Sequence, residues 1–317
     1  MRANRPSLVA FVRLVRLLRM HKPDVIQTWM YHADLLGGIA ARIAGVRNIV
    51  WGIRATTPDL SGRYNSINFI RKILAILSNW LPSKIVVCAK QAINIHADLG
   101  YEQRKMCFIP NGYNLSDYAP QPAASEVFRK DNGIQENDVL LGSVGRYDPL
   151  KDYSNLLHAL AILKQRDVRF YLILIGLGLD SSNAELQALL EKLYLTDVVR
   201  LLGRRDDIPM VMGAFDLHVL SSSAEAFPNV VCEAMSCETP CVVTDVGDAA
   251  YIVGETGWVV PAQDHEALAV AIETAINEMQ SNSWSQRCLA AHERIAELFS
   301  IEKMVGTYRQ IWRDGPF

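Results

Sequence analysis

Short apolar runs alternate with longer amphipathic segments along the whole chain, and this alternation restricts the fold more than any other feature. Runs such as Tyr171-Leu172-Ile173-Leu174-Ile175 suit strands that are buried on both faces. In the second half we predict strands at 139–144, 169–175, 199–202, 217–220, 240–244 and 257–260. The helices predicted there are 152–166, 183–194, 208–214, 229–237, 248–253, 264–280, 284–298 and 302–313. The pattern favours an α/β fold of parallel sheets covered by helices, doubly wound in this half.

The first half shows the same alternation. We predict strands at 24–29, 47–52, 84–88 and 106–109, and helices at 6–21, 32–44, 64–80 and 90–99. A turn at Pro110-Asn111-Gly112 follows, and Ala119-Pro120-Gln121-Pro122 has the composition of a linker. Because 317 residues suffice for two domains, we predict one at 1–118 and one at 119–317, with the last helix packing back on the first domain.

The two halves carry opposite charge although the whole chain is nearly neutral, with a formal net charge of −2. Residues 1–118 contain 16 Lys/Arg and 6 Asp/Glu, a balance of +10. Residues 119–317 contain 16 Lys/Arg and 28 Asp/Glu, a balance of −12. A basic half suits an acidic partner, such as an anionic lipid surface or a phosphorylated acceptor. We expect no nucleic-acid partner, since the basic residues are spread over several elements and no recognition motif is present.

Two predicted helical segments of the basic half are amphipathic. Segment 6–21 carries Arg13, Arg16 and Arg19 among apolar residues, and segment 63–84 combines Arg63, Arg71, Lys72 and Lys84 with many apolar side chains. Such helices either rest on an anionic membrane or pack within an α/β domain. No apolar run reaches the ~18 residues of a membrane-spanning helix. We expect a cytoplasmic protein, with the inner face of the membrane as a candidate location.

The six cysteines form no CxxC pair and no regular framework, so we interpret them as reduced, packed thiols. Cys232, Cys237 and Cys241 lie close in sequence, but no histidine or second cysteine pair completes a zinc site. We expect no metal site.

The segment from Ser221 to Gly247 contains two glutamates, Glu225 and Glu233, separated by seven residues. Pro228 suits the first turn of a helix, which puts Glu225 on the preceding loop and Glu233 about one turn inside. The helix N-terminus favours an anion such as phosphate. Carboxylates that accept from sugar hydroxyls beside a phosphate site predict a sugar-nucleotide pocket. The alternative is a helix with solvent-facing glutamates.

Three further groups of residues follow predicted strands. Gly145 and Arg146, with Lys151, follow the strand at 139–144, where a planar guanidinium and an ammonium suit phosphate oxygens. The alternative there is a solvated loop with an Asp148–Lys151 ion pair. Gly176 belongs to a glycine turn after the strand at 169–175, and Arg204 precedes a helix for which Asp207 is a plausible N-cap. Alone, each of these groups is weak evidence for a ligand site. Together with the segment that contains Glu225 and Glu233 they make four groups, and each of the four follows a predicted strand.

The chain resembles the retaining glycosyltransferases of family 4, the group 1 type with the GT-B fold. The resemblance rests on GRYDPLKD, LIGLGLD, LLGRRDDIP and SSSAEAFPNVVCEAMSCETPCVVTDVG, and it is strong over about residues 139–260. It implies two Rossmann-like domains that face a cleft, with the donor on the acidic half and the acceptor on the basic half. The amino half adds PDVIQTWMYHADLLGGIAAR, SKIVVCAKQA and IPNGYN.

The resemblance also implies a role for each matching residue. Arg146 and Lys151 hold the donor diphosphate, and Glu225 binds donor-sugar hydroxyls. Glu233 binds the ribose hydroxyls. Backbone N–H groups of Phe227, Asn229 and Val230 meet the phosphate. No cofactor or metal is required, and the donor is a UDP- or GDP-sugar.

The amino half departs from the family pattern in two places. A histidine often ends the strand that here ends in Trp29, and His32 is a candidate substitute, the alternative being a histidine at a helix start with no ligand. Arg54, after the next strand, is expected to face the cleft. The family's first domain also opens with a strand and a glycine-rich loop, whereas this chain opens with a basic helix; Gly37-Gly38 lies in a helical pattern and is not that loop. We therefore expect a first domain that lacks its opening strands.

The function expected from these features is transfer of a sugar from a nucleotide-diphosphate sugar to a glycan or lipid-linked acceptor, in surface polysaccharide or glycolipid biosynthesis. One alternative is a sugar-nucleotide-binding remnant that lacks transferase activity because its first domain is incomplete. A GT-B epimerase is a third possibility, but it needs acid/base residues that the sequence does not indicate.

Overall fold

The computed structural model describes residues 7–54 and 65–315, which form two compact units. Unit one comprises the chain up to Asn111 together with Glu302–Phe317, and unit two comprises Gly112–Ile301. The division therefore falls before the predicted boundary at 118/119. The backbone of Tyr113 explains this, because its N–H donates to Phe299 O (2.8 Å) and its carbonyl accepts from Ile301 N (2.9 Å), which ties it to unit two.

Unit one contains a four-stranded parallel sheet in the order β1-β2-β3-β4. The strands are β1 (Val25–Gln27), β2 (Asn48–Ile53), β3 (Lys84–Val87) and β4 (Met106–Phe108). The helices between and before them are α1 (Leu8–His21), α2 (Tyr31–Ala44), α3 (Asn65–Ser78) and α4 (Lys90–Asp98). Every residue of β2 is buried, as expected for the inside of a parallel sheet.

Unit two contains a six-stranded parallel sheet in the order β10-β9-β8-β5-β6-β7. Its strands are β5 (Leu140–Val144), β6 (Tyr171–Ile175), β7 (Val199–Leu201), β8 (Leu217–Leu220), β9 (Cys241–Thr244) and β10 (Trp258–Val260). The chain moves outward from β5 to β7, returns, and moves the other way from β8 to β10. The strand order reverses between the paired strands β5 and β8, which is where ligands bind in such sheets.

Helices cover both faces of this sheet. They are α5 (Pro122–Asp131), α6 (Tyr153–Gln165), α7 (Ala184–Lys192), α8 (Ile208–Met212), α9 (Asn229–Ser236), α10 (Ala249–Val253), α11 (His265–Met279) and α12 (Trp284–Phe299). One core cluster joins the sheet to α6, α7 and α11, and its members include the fully buried Leu141, Leu156, Leu172 and Ile272. The doubly wound architecture predicted from the alternation is confirmed.

The helix α5 begins inside the segment that the sequence predicted to be a linker. Pro122 occupies a position in the first turn, where a missing N–H costs nothing. Arg129 fixes the other end of α5, because its Nη1 donates to Ala214 O (3.0 Å) and lies 3.1 Å from Asp216 Oδ2. The proline-rich composition therefore marked a helix start.

The last helix, α13 (Ile301–Asp314), contributes to the core of unit one. Tyr308 and Ile311 join Val50, Val86 and Ile109 in one buried apolar cluster. Asn48 Nδ2 donates to Trp312 O at 3.0 Å. The carboxyl-terminal helix thus packs against the sheet formed by the first hundred residues.

Candidate active site

Two loops of unit two start at the carboxyl ends of β5 and β8, the strands that flank the reversal in strand order. The first loop carries Gly145, Arg146 and Lys151, and the second carries Glu225. Because neighbouring parallel strands end at the same edge of the sheet, the two loops meet there. Lys151 Nζ lies 2.6 Å from Glu225 Oε1, and both side chains are largely shielded from solvent.

Glycine at position 176 lets the loop after β6 pass directly behind Gly145. A Cβ on Gly176 would lie 1.8 Å from Gly145 O, and the φ angle of +148° is one that other residues rarely adopt. Gly145 N donates to Ile175 O (2.9 Å), and Gly176 N donates to Gly203 O (2.9 Å). The predicted pair Gly145 and Gly176 therefore form part of the wall behind Arg146.

Arg146 is the exposed cation of this site. Its Nε lies 2.9 Å from Asp148 Oδ2, and two thirds of its side chain (66%) is exposed. The pKa of Asp148 lies below its usual range, chiefly because its carboxylate accepts from Leu150 N and also because Arg146 is near. The Asp148–Lys151 ion pair considered from the sequence is not what forms, since Asp148 pairs with Arg146 and Lys151 pairs with Glu225.

Glu225 is held in place by its own loop as well as by Lys151. The hydroxyl of Ser222 donates to Glu225 Oε1 at 2.7 Å, and Ser222 O accepts from Thr244 Oγ1 at 2.7 Å. Ser222 is almost completely buried. The sequence analysis did not single it out, although the run of three serines before Ala224 was a visible signal.

A glycine on the loop after β9 supports the Glu225 loop from behind. Gly247 has a φ of +56°, and a Cβ there would lie 2.4 Å from Ala226 O and 2.6 Å from Glu225 O. Asp248 N donates to Ala226 O at 2.9 Å. The loops after β8 and β9 are therefore in backbone contact.

The helix after the Glu225 loop begins as predicted, with Pro228 at the N-cap and Asn229 as the first helical residue. Pro228 itself makes no side-chain capping hydrogen bond. Phe227 is buried with its ring 5.6 Å from that of Phe299, so only its backbone is available to a ligand. Val230, in the first turn, is half-buried.

Glu233 lies one turn inside α9 and is half-buried. Burial raises the pKa of this carboxyl above its ordinary value of 4.5, and contact with the side chain of Tyr118 lowers it in part. The alternative of a fully solvent-facing glutamate therefore does not apply. Tyr118 itself was not singled out by the sequence.

Arg204 lies on the loop after β7, away from the Lys151–Glu225 pair. Its side chain is 78% exposed and its Nη2 lies 3.5 Å from Asp206 Oδ1. Asp207 precedes α8 at the N-cap position, but its side chain makes no capping bond. The carboxylate of Asp207 instead accepts two hydrogen bonds from Arg205, at 2.8 and 2.6 Å. These bonds orient it away from the N–H groups of the helix.

The candidate residues of unit one lie near the carboxyl end of its sheet. His32 is exposed in the first turn of α2. Trp29 has the guanidinium of Arg54 4.6 Å from its ring centroid and the ring of Tyr308 at 5.7 Å. Arg54 also donates to Asn111. The role of His32 stays a prediction, and turnover by a His32→Ala variant would test it.

Neither a metal centre nor a membrane span is found in the described parts of the chain. Residues 7–54 and 65–315 contain no group of three or more side chains suited to hold a metal ion. No helix within those ranges has the length and apolar character needed to cross a bilayer. Cys232, Cys237 and Cys241 are buried free thiols. Arg63, part of the amphipathic segment considered above, lies outside the described residues.

Two family models match the chain. The model for group 1 glycosyl transferases matches residues 124–287, which is about half of the chain, and the model for glycosyltransferase family 4 matches residues 1–117. The chain belongs to the group 1 glycosyl transferases. The family inferred from the sequence motifs is thereby confirmed, and so is membership in a class of transferase enzymes.

Three curated relatives illustrate the range of similarity. The Escherichia coli enzyme named UDP-Gal:alpha-D-GlcNAc-diphosphoundecaprenol alpha-1,3-galactosyltransferase is 26% identical, over 97% of this chain and 80% of its own length. Putative glycosyltransferase EpsF of Bacillus subtilis is 29% identical over 67% of this chain and 53% of its own length. N-acetyl-alpha-D-glucosaminyl L-malate synthase of Bacillus anthracis is 30% identical over 59% and 48%. The last two matches thus span about half of each relative.

Solved structures share the fold. HepE from Anabaena, determined in complex with UDP, superposes with a TM-score of 0.86 over 98% of this chain and 85% of its own, at 23% identity. Sucrose-phosphate synthase from Thermosynechococcus elongatus gives a TM-score of 0.76 over 98% and 80%, also at 23% identity. The predicted GT-B fold is confirmed at this level.

Proposed function

We propose that the chain is a retaining glycosyltransferase that moves a sugar from a UDP- or GDP-sugar to a glycan or lipid-linked acceptor. The observation that carries this proposal is the meeting of Lys151 and Glu225, at 2.6 Å, where the strand order reverses. A cation for phosphate and a carboxylate for sugar hydroxyls stand side by side at the position where such sheets bind ligands.

The phosphate side of the proposed site consists of Arg146, Lys151 and the start of α9. Cleavage of the sugar–phosphate bond leaves negative charge on the departing nucleotide, and fixed cations stabilise that charge. Arg146 offers a planar fork to two phosphate oxygens, and Lys151 offers a point charge. Backbone N–H groups of Phe227, Asn229 and Val230 add the N-terminal end of a helix.

The sugar side of the proposed site consists of Glu225 and Glu233. Glu225, held by Ser222 and Lys151, accepts from hydroxyls of the donor sugar, and Glu233 accepts from the ribose. Gly145 and Gly176 form the wall behind Arg146. Arg204, on the loop after β7 and away from the Lys151–Glu225 pair, stays a predicted site residue.

In the proposed reaction the acceptor hydroxyl attacks the face of the sugar from which the phosphate leaves. The sugar–phosphate bond breaks with its electron pair on the phosphate, and the proton of the acceptor hydroxyl passes to a phosphate oxygen. This scheme retains the configuration at the sugar carbon. It uses neither a protein nucleophile nor a metal ion or cofactor.

The setting we propose is assembly of a surface polysaccharide or glycolipid. Support comes from the name of the E. coli relative, which states a UDP-linked sugar donor and a diphosphoundecaprenol-linked acceptor. The chain of this protein matches that relative over 97% of its own length. An acceptor that carries phosphate also suits the basic balance of residues 1–118.

Calorimetric titration with UDP and GDP, followed by assays with the corresponding sugar donors, tests the proposal. We expect Glu233→Ala to weaken nucleotide binding and Arg146→Ala to lower turnover with a smaller effect on binding. Arg169→Ala, at an exposed arginine before β6, is the matched control. Unchanged turnover in both site variants would refute the site. Nucleotide binding by the wild type without turnover would favour the alternative of a binding remnant.

We propose in addition that unit one rests on an anionic membrane at the cytoplasmic face. Phe69 and Ile76 on α3, and Trp80 just after it, are each at least 60% exposed. They recur at helical spacing with the exposed Lys72 among them, and α1 presents Arg16 beside exposed apolar residues. An apolar face rimmed by cations matches a surface of anionic lipid.

Flotation with liposomes tests this second proposal. We expect binding to vesicles of anionic lipid but not of neutral lipid, weakened by salt. The double change Phe69→Ser with Trp80→Ser should reduce it, whereas Val127→Ser, at an exposed apolar residue of α5, should not. Equal partition onto both vesicle types, or onto neither, would contradict the proposal.

A further inference from the structure

The helix α3 of unit one carries an arginine whose charge is buried. Arg71 has 3% of its surface exposed, although an arginine is almost never fully buried unless it is paired. Its Nε and Nη2 are both buried, and neither has a hydrogen-bond partner within residues 7–54 and 65–315. A cation that is taken out of water needs an opposite charge and hydrogen-bond acceptors. The guanidinium of Arg71 therefore suits an anion.

Tyr31 and His96 orient this guanidinium without neutralising it. The guanidinium carbon of Arg71 lies 5.5 Å from the centroid of the Tyr31 ring, and the hydroxyl of Tyr31 lies 2.9 Å from His96 Nε2. His96 Nδ1 lies 2.7 Å from Ala92 O, so Nδ1 carries the proton and Nε2 accepts from Tyr31. Burial lowers the pKa of His96 to about 4, so its ring is neutral. Neither side chain supplies a negative charge.

The two unpartnered nitrogens lie on one edge of the guanidinium. The N–H groups of Nε and Nη2 point in the same direction, and such an edge holds two oxygens of one carboxylate or phosphate group. A neutral ligand would leave the buried charge uncompensated. The free edge of Arg71 therefore favours an oxyanion.

A third buried donor without a partner belongs to the same cluster. Tyr101 is 4% exposed, and its hydroxyl makes no hydrogen bond in the described parts of the chain. Its ring meets that of His96 edge-on, with centroids 5.1 Å apart and planes at 86°. Burial raises the pKa of Tyr101, so the hydroxyl keeps its proton and stays a donor.

The backbone around Tyr101 follows the face of α3 that carries Arg71. A Cβ on the preceding Gly100 would lie 3.9 Å from Ala75 Cβ, and the residue after Tyr101 donates its N–H to Ser78 Oγ at 2.8 Å. Ala75 and Ser78 follow Arg71 by four and seven positions, so all three share one face of the helix. Tyr101 thus lies between two residues that contact this face.

We propose that Arg71 and Tyr101 form a binding site for a phosphate group in unit one, with two oxygens on the Nε–Nη2 edge of Arg71 and a third on the hydroxyl of Tyr101. A phosphate group has enough oxygens for donors from two side chains, whereas a carboxylate has two in one plane. The phosphate comes either from free inorganic phosphate or from an acceptor that carries it. The second source rests on the proposed function.

The test is thermal unfolding of the full chain at increasing inorganic phosphate, compared with chloride at the same ionic strength. The variants are Arg71→Met, Arg71→Lys and Tyr101→Phe, with Arg47→Met as the control at an exposed arginine of unit one. Methionine fills buried space without a charge, and lysine keeps the charge without the planar fork. Circular dichroism verifies that each variant folds, and Arg146→Ala removes a cation of the proposed donor site.

We expect phosphate to stabilise the wild type, Arg47→Met and Arg146→Ala in a saturable way. Arg71→Met should lose this saturable stabilisation, and Arg71→Lys and Tyr101→Phe should raise the half-saturating concentration about tenfold. Equal stabilisation of Arg71→Met and the wild type would overturn the proposal. A phosphate effect that is lost in Arg146→Ala but kept in Arg71→Met would overturn it as well, while leaving the proposed function intact.

Geranyl diphosphate and geraniol, the same lipid with and without phosphate, distinguish the two sources. Stabilisation by geranyl diphosphate but not by geraniol, lost in Arg71→Met, would assign the site to the phosphate of an acceptor. Stabilisation by inorganic phosphate alone would assign it to free phosphate. No saturable effect of either phosphate compound on the wild type would overturn the site. Because none of these measurements needs sugar transfer, failure of the proposed function would leave their outcome unchanged.

Discussion

The buried Asp34 should make unit one less stable as the pH rises, whereas most aspartates make a folded protein less stable as the pH falls. The residue lies on α2 with 1% of its surface exposed. Its Oδ1 accepts from Thr28 Oγ1 at 2.6 Å and from Gly52 N at 3.3 Å, whereas Oδ2 has no hydrogen-bond partner within the described residues. Burial raises its pKa from 3.8 to about 7, despite these two bonds.

Between pH 3.8 and about 7, Asp34 therefore keeps its proton in the folded protein but has lost it in the unfolded chain. A raised acid pKa stabilises the fold fully below pH 3.8, and the contribution is lost as pH rises through about 7. The shift of about three units, at ~1.4 kcal/mol per unit, corresponds to a loss on the order of 4 kcal/mol between pH 4 and pH 8. Asp34→Asn keeps the oxygen that accepts both bonds and mimics the protonated carboxyl.

Denaturant unfolding of the wild type and of Asp34→Asn, at intervals from pH 4 to pH 8, measures this effect. The unfolding free energy of the variant minus that of the wild type should grow by about 4 kcal/mol across the range. The same substitution at the exposed Asp24 controls for the loss of one negative charge. A difference that stays constant with pH would refute the assignment of a buried, protonated Asp34.

Three further perturbations follow from the geometry. His218 on β8 is completely buried, neither ring nitrogen has a partner in the described chain, and its pKa is lowered to about 3, chiefly by burial. The neutral His218 contributes to stability above pH 6.5, and this contribution is lost as the pH falls. Between pH 7.5 and 5.5 the unfolding free energy of the wild type should therefore fall by about 1.4 kcal/mol more than that of His218→Leu, as measured by chemical unfolding. An equal fall in both proteins would contradict this. Gly247→Ala should cost about 1–2 kcal/mol for the positive φ and also weaken donor binding by displacing the Glu225 loop. Gly133→Ala, with a φ of +73° and open space around it, is the control that should lose stability but not affinity, as followed by thermal unfolding and calorimetry. Ser222→Ala should raise the KM for the sugar donor about fivefold by releasing Glu225 from a hydrogen bond worth about 1 kcal/mol. An unchanged KM would show that the Ser222 hydroxyl does not position the carboxylate.

The local sequence pattern was sufficient to predict most of the helices and strands and to place Glu225 and Glu233 at the start of a helix. Pro228 restricts the backbone so strongly that the helix start at Asn229, and with it the placement of Glu225 and Glu233, could be predicted from the sequence. The same residue type misled at Pro122, because proline is common both in linkers and in the first turn of a helix. At Asp207 the N-cap position was found, but Arg205 competes for its carboxylate.

The contacts that define the candidate site were beyond sequence analysis. Lys151 and Glu225 are 74 positions apart, and the sequence alternative paired Lys151 with the nearby Asp148. Tyr113 and Asn229, whose side chains are hydrogen-bonded, are likewise distant in sequence. Their meeting depends on the position of residues 112–118 against α9, which the bonds of Tyr113 to Phe299 and Ile301 establish.

The sequence by itself determined the order of strands and helices, the helix start beside the two glutamates and the family of the protein. These follow from periodicity, from proline geometry and from motifs that span a few residues each. Tertiary structure alone decided that β5 lies beside β8, that Lys151 therefore meets Glu225, and that Asp34 is buried enough to keep its proton. Pairing of parallel strands and desolvation of a carboxyl are set by segments far apart in the chain, so no local pattern encodes them.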